Sequence, residues 1–163
     1  MYKAMFLLLC MAQILFFSSH VVAKDWRGIT PLRSTRSDVE CLLGAPADPT
    51  KEHAAVYKLD NEVVLIIYAS GQPCGRDASS GWQVPRDTVV EITVSPKSEI
   101  RFSDLQIEMS KYQKTTELHR ADNIIYTNKD EGESINVFLD KVTYFTYFPA
   151  AKDTHLRCPR SKN

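Results

Sequence analysis

Thr35-Arg36-Ser37-Asp38-Val39-Glu40-Cys41-Leu42-Leu43-Gly44-Ala45-Pro46 is the best-specified stretch of this chain. It reads as one short helix on which the following strands are laid. Thr35 can accept a hydrogen bond as N-cap, and Asp38, three residues on, completes a variant of the capping box. Val39, Leu42 and Leu43 stand at i, i+3 and i+4, one apolar stripe. Gly44 can take the left-handed conformation that closes a helix, and Pro46 prevents its continuation. Cys41 falls roughly 200° around the helix from Val39, away from the stripe. None of these signals is chemistry.

Beyond the helix the pattern has period two. Ala54 to Leu59 reads as a strand, Asp60-Asn61 as a turn, and Glu62 to Ala69 as a central strand with both faces apolar. Ser70 to Asp87 is a long loop. Thr88 to Val94 is a third strand, with Val90, Ile92 and Val94 on one face. The order then restarts. Leu105, Met109 and Tyr112 at i, i+4 and i+7 suggest a second short helix. Asn123 to Thr127, Ser134 to Leu139 and Val142 to Phe148 read as three more strands. The expected fold class is α+β: a tandem repeat of a short helix plus a three-stranded antiparallel meander, helices on one face of the sheet. The repeats would span 28–95 and 103–149, with a C-terminal tail 150–163. Two unrelated α+β halves are the alternative.

Residues 1 to 23 stand apart. Lys3 starts them, an uncharged run from Ala4 to Phe17 follows, and Val21 and Ala23 supply small residues before a cleavage point. This layout predicts a signal peptide removed after Ala23, leaving 24–163 as a single domain. The apolar run is about 14 residues, short of the roughly 20 needed for a spanning helix, which makes a membrane anchor the weaker alternative. The expected localisation is exported, periplasmic or extracellular. Export permits disulfides. Cys74 and Cys158 sit in loop-like segments and are expected to pair. The bridge would close a loop of about 84 residues, worth about 4 kcal/mol in the chain-entropy model. Cys41 is expected to be free and on the surface. Three free thiols in a reducing compartment are the alternative. The 163 residues carry 20 basic and 20 acidic side chains, a neutral balance that argues against a nucleic-acid partner.

The pattern Thr35, Val39, Leu43, Gly44 and Pro46 resembles the helix motif of the small outer-membrane-assembly lipoprotein family, whose fold is shared by the β-lactamase-inhibitor protein. The resemblance covers about residues 28 to 95, with 103 to 149 as a degenerate second copy. The chain is also similar to small exported bacterial proteins of unknown function. Arg33-Ser34 stands where that family often has Gly-Met, and its lipidated cysteine is missing. The resemblance implies a function by binding and carries over no catalytic residue.

Catalytic patterns are sparse. His53, His119 and His155 are isolated, with no spacing that presents two metal ligands. Ser79-Ser80-Gly81 lacks the setting of a nucleophile elbow. The acids around Gly132 lack calcium-loop spacing and read as a charged hairpin turn. No cofactor or metal is expected. The reading that follows is an exported non-catalytic protein-binding or envelope-assembly module with a protein partner; a small secreted hydrolase assembled only in the fold is the alternative. The working surface is placed on the loop Ser70 to Asp87 and the adjoining sheet face. Arg76, Asp77, Trp82, Arg86 and Tyr68 are the candidate partner-binding residues, since Trp and Arg dominate binding hot spots. A loop this long without secondary structure is often functional. Trp82 plugging the end of the core is the alternative. The aromatic strand Tyr144 to Phe148 is either half-buried sheet or part of a docking face.

Overall fold

The computed structural model describes residues 23–48, 52–72, 74, 81–117 and 120–159. The expected helix forms as α1, Arg36–Leu43. The Thr35 hydroxyl accepts from the Asp38 amide at 3.3 Å, and the Asp38 carboxylate accepts from the Thr35 amide at 2.7 Å. The carboxylate also accepts from the Thr35 hydroxyl at 2.8 Å, and the bonds it accepts from the Thr35 amide and hydroxyl hold the Asp38 carboxyl below its ordinary range. Gly44 closes the helix at φ 80°, its amide donating to the Glu40 carbonyl. Val39 is fully buried and Leu43 packs against the core, but Leu42 is 55% exposed. The apolar stripe is therefore narrower than its spacing suggests.

Seven strands follow: β1 Ala54–Lys58, β2 Glu62–Tyr68, β3 Val89–Pro96, β4 Gln113–Glu117, β5 Arg120–Asn128, β6 Glu133–Phe138 and β7 Lys141–Tyr147. They form one antiparallel sheet in the order β1-β2-β3-β7-β6-β5-β4. β2 lies between β1 and β3 as expected, while the aromatic β7 is the middle strand of the whole sheet.

The tandem repeat of helix plus three-stranded meander is overturned. The second half has four strands and no α-helix among its described residues. Residues 102–111 instead hold two 3-10 turns, Phe102–Asp104 and Met109–Lys111, with extended chain between them. The reason lies in which side chains must be buried together. Leu105 and Ile107 both pack against the second core cluster. Extended chain puts residues two apart on the same side, whereas a helix would turn Ile107 about 200° away from Leu105. The Ser103 amide and hydroxyl bind the Asp140 carboxylate rather than capping a helix. The added strand β4, Gln-Lys-Thr-Thr-Glu, lies at the sheet edge and has no apolar alternation to announce it.

Both core clusters lie on one face. The first gathers Val39 and Ile29 over Tyr57, Ile66 and Ile92; the second gathers Phe102, Leu105 and Ile107 over Tyr126, Ile135 and Val137. Phe145 of β7 belongs to both. The opposite face carries Leu65 and Ile67 on β2, Glu91 and Thr93 on β3, and Tyr144 on β7; these are half-buried or exposed. Among the described residues, no helix long and apolar enough to cross a membrane is present.

Candidate functional site: a cleft at the end of the uncovered sheet face

The site begins with a fault in the β2–β3 ladder. Ile67 pairs with Glu91 and Tyr68 with Val89, leaving Val90 as an extra residue. A bulge of this kind re-aims side chains and bends the strand. Val89 turns into the core, while Val90 and Glu91 both face the uncovered side. Strict alternation, which placed Val90 with Ile92 and Val94, cannot register an inserted residue.

Three connections meet beside this bulge. The returning arm of the long loop runs alongside the C-terminal tail: the Gln83 amide donates to the Leu156 carbonyl at 2.7 Å and the Cys158 amide to the Gly81 carbonyl at 3.0 Å. Cys74 and Cys158 are bonded, with Cα atoms 5.3 Å apart, so the tail is stapled to both arms of the loop. Cys41 is exposed and free. Both thiol expectations match the structure. The third connection is the turn from β5 to β6. Gly132, at φ 71°, lets the turn approach β7 so closely that a Cβ would overlap the Phe148 carbonyl oxygen. The Phe148 amide donates to the Gly132 carbonyl at 2.8 Å, and the Ala151 amide to the Lys129 carbonyl at 2.8 Å. Lys129 and Phe148 are thereby held together at the same end of the sheet.

The result is a cleft of about 490 Å³ lined by Trp82, Val90, Glu91, Lys129, Phe148 and Arg157, among others. Trp82 is half-buried, and the Arg157 guanidinium lies 5.6 Å from its ring centroid. Such a pairing of cation and indole face stabilises both groups and orients the ring. Glu91 is half-buried. Burial pushes its carboxyl above the ordinary carboxylate range, opposed by a hydrogen bond from the Thr93 hydroxyl at 3.5 Å. Lys129 and Arg157 line the same cleft, and neither has a carboxylate partner within salt-bridge distance among the described residues. Aromatic surface, one poorly solvated carboxylate and two cations can hold a ligand. No histidine, serine or cysteine among the lining residues supplies a nucleophile with its base.

Of the expected binding residues that are described, Trp82 alone lines this cleft. Arg76 and Asp77 lie outside the described residues. Tyr68 is buried on the covered face, its ring beneath the Arg36 guanidinium at 4.0 Å and its hydroxyl 3.5 Å from that of Tyr57. Arg86 pairs with Glu52 at 2.5 Å, part of an ionic group with Asp87 and Arg36 that ties the loop's return to α1 and the start of β1. Glu91, Lys129 and Arg157 were missed, and Phe148 was read only as part of the aromatic strand. Arg157 had a signal, because a Cys74–Cys158 bridge brings its neighbours to the loop.

A second hollow, about 530 Å³, lies by Gly71, Cys74, Val84 and Pro159 on the stapled loop. The expected leader lies outside the described residues apart from Ala23, which is buried.

No protein-family model matches this chain, and no curated protein matches it. The chain is similar in structure to a DUF4309 family protein, YjgB, from Bacillus subtilis subsp. subtilis str. 168, at 15% identity and a TM-score of 0.50, covering 76% of this chain and 83% of that one. At that identity the likeness concerns the fold alone. None of these comparisons supports the resemblance to the outer-membrane-assembly lipoproteins or the β-lactamase-inhibitor protein.

Proposed function

We propose that this protein is an exported, non-catalytic module that binds a protein partner across the uncovered sheet face and the cleft at its end. One observation carries the reading: a half-exposed tryptophan beside an arginine, on backbone pinned by a disulfide and a short ladder to the tail. Rigid aromatic and arginine anchors are the residues that dominate binding energy, and rigidity before docking reduces the entropy lost on association. The apolar residues Leu65 and Ile67 extend the surface away from the cleft, and the bonded cysteine pair fits an oxidising compartment. The hydrolase alternative draws no support from the cleft lining, which holds no histidine, serine or cysteine and whose Thr154 hydroxyl donates to the Ala151 carbonyl.

Photo-crosslinking in the native exporting cell tests this. A crosslinker at Tyr144, on the uncovered face, should yield a defined adduct, and one at Leu42, exposed on α1, should not. Trp82→Ala should reduce the Tyr144 adduct about tenfold or more, as expected for a hot-spot residue, with little change in melting temperature. Equal adducts at Tyr144 and Leu42, or parallel loss of adduct and stability in Trp82→Ala, would refute the surface.

A further inference from the structure

Resting on that binding reading, we infer the chemistry of what enters the cleft: a peptide segment presenting an acidic side chain next to an apolar one. The argument is charge complementarity inside a mixed-polarity cavity. Lys129 reaches the cleft from the β5–β6 turn and Arg157 from the tail, and both side chains are exposed without a carboxylate partner within salt-bridge distance among the described residues. Among the arginines whose side chains are described, Arg27, Arg33, Arg36, Arg86 and Arg101 each stand within 4.0 Å of a carboxylate, and Arg157 does not. Lys129 and Arg157 line one cleft together with an indole and a phenyl ring.

Arg157 is already placed. Its backbone is bridged to Trp82 and its neighbour Cys158 is bonded to Cys74. A guanidinium held against an aromatic face keeps its edge donors free for a carboxylate, and this fork matches carboxylate geometry. Trp82, Phe148 and Val90 supply the apolar wall for the neighbouring side chain. Glu91 on the same wall carries like charge to the ligand. It sets where the acidic group can sit, keeping it toward Lys129 and Arg157. A nucleic-acid phosphate fits less well, since a half-buried carboxylate stands among the lining residues and the formal net charge of the whole chain is zero.

The test uses the disulfide-bonded protein and two capped peptides, acetyl-Ala-Leu-Asp-Leu-Ala-amide and the same peptide with Asn for Asp. Tryptophan emission reads the cleft, because Trp82 is half-buried within it while Trp26 is buried in the core. The Asp peptide should give a saturable change, and the Asn peptide should bind about tenfold or more weakly, as expected for loss of a charge-assisted bond. Arg157→Gln and Lys129→Gln, both at exposed side chains, should each weaken the Asp peptide severalfold. Lys58→Gln on β1 should leave it unchanged. Equal binding of the two peptides, no saturable change with either, or no effect of Arg157→Gln and Lys129→Gln would overturn the inference. If the peptides fail while Trp82→Ala still abolishes the Tyr144 adduct, the binding surface stands and the acidic-segment chemistry falls.

Discussion

Glu91 is the residue where position and chemistry conflict most. A carboxylic acid whose folded pKa lies above its unfolded value is favoured in the protonated form when folded, so ionisation penalises the folded state. Stability contributed here is retained at low pH and lost as pH rises from the ordinary carboxylate value through the raised one. Glu91→Gln removes the ionisation. The variant should therefore melt higher than the parent at neutral pH, with the difference vanishing below about pH 4; thermal scans across that interval read it directly. A fixed offset at every pH would assign the effect to packing instead. Thr35 is a simpler case. Its hydroxyl satisfies one orphan amide at the start of α1, and Thr35→Ala should cost about 1 kcal/mol in denaturant unfolding.

At the scale of elements, the hairpin between β6 and β7 is held by a two-residue turn. Leu139 and Asp140 have φ of 48° and 63°, and Phe138 pairs with Lys141 across them. Both central residues are left-handed, as the turn matching strand twist requires, and this is a conformation that leucine resists. Leu139 is 63% exposed, so the strain has little burial to offset it. Leu139→Asn should raise stability by roughly 0.5–1 kcal/mol, measured as a higher denaturant midpoint at unchanged slope. Asp140 should be left in place because its carboxylate binds the Ser103 amide and hydroxyl. The charged edge strand β4 offers lysine and threonine side chains to solvent, one of the ways an exposed edge resists pairing with another chain.

For the molecule as a whole, the seam between the two halves decides cooperativity. β3 and β7 pair over only Ile92 to Val94 and Phe145 to Tyr147. Phe145 packs against both core clusters, facing Val94 on one side and Ile135 on the other. Phe145→Ala should cost about 3 kcal/mol or more and separate the unfolding of the two halves, visible as a lowered or biphasic denaturant transition. Phe138→Ala, on an exposed side chain, should cost well under half as much. Reduction of Cys74–Cys158 acts at the cleft end of the sheet and should lower stability by about 4 kcal/mol.

The sequence alone determined what short-range physics specifies. The capping pair and terminal glycine fixed α1, period-two apolar runs located six of the seven strands, and loop setting paired Cys74 with Cys158 while helical phase left Cys41 outside. Each of these depends on residues close in the chain or on one local choice of face. Tertiary structure decided the rest. Leu105 and Met109 fit a helix as well as Leu105 and Ile107 fit extended chain; the cluster at Phe102, Tyr126 and Ile135 chose the latter. β4 forms because β5 offers it an edge, not because its own side chains ask to be buried. The cleft is the least legible feature, since Trp82, Glu91, Lys129 and Arg157 come from four separate segments. A bulge, a glycine-closed turn and a disulfide bring them together, and only the last left a readable trace in the sequence.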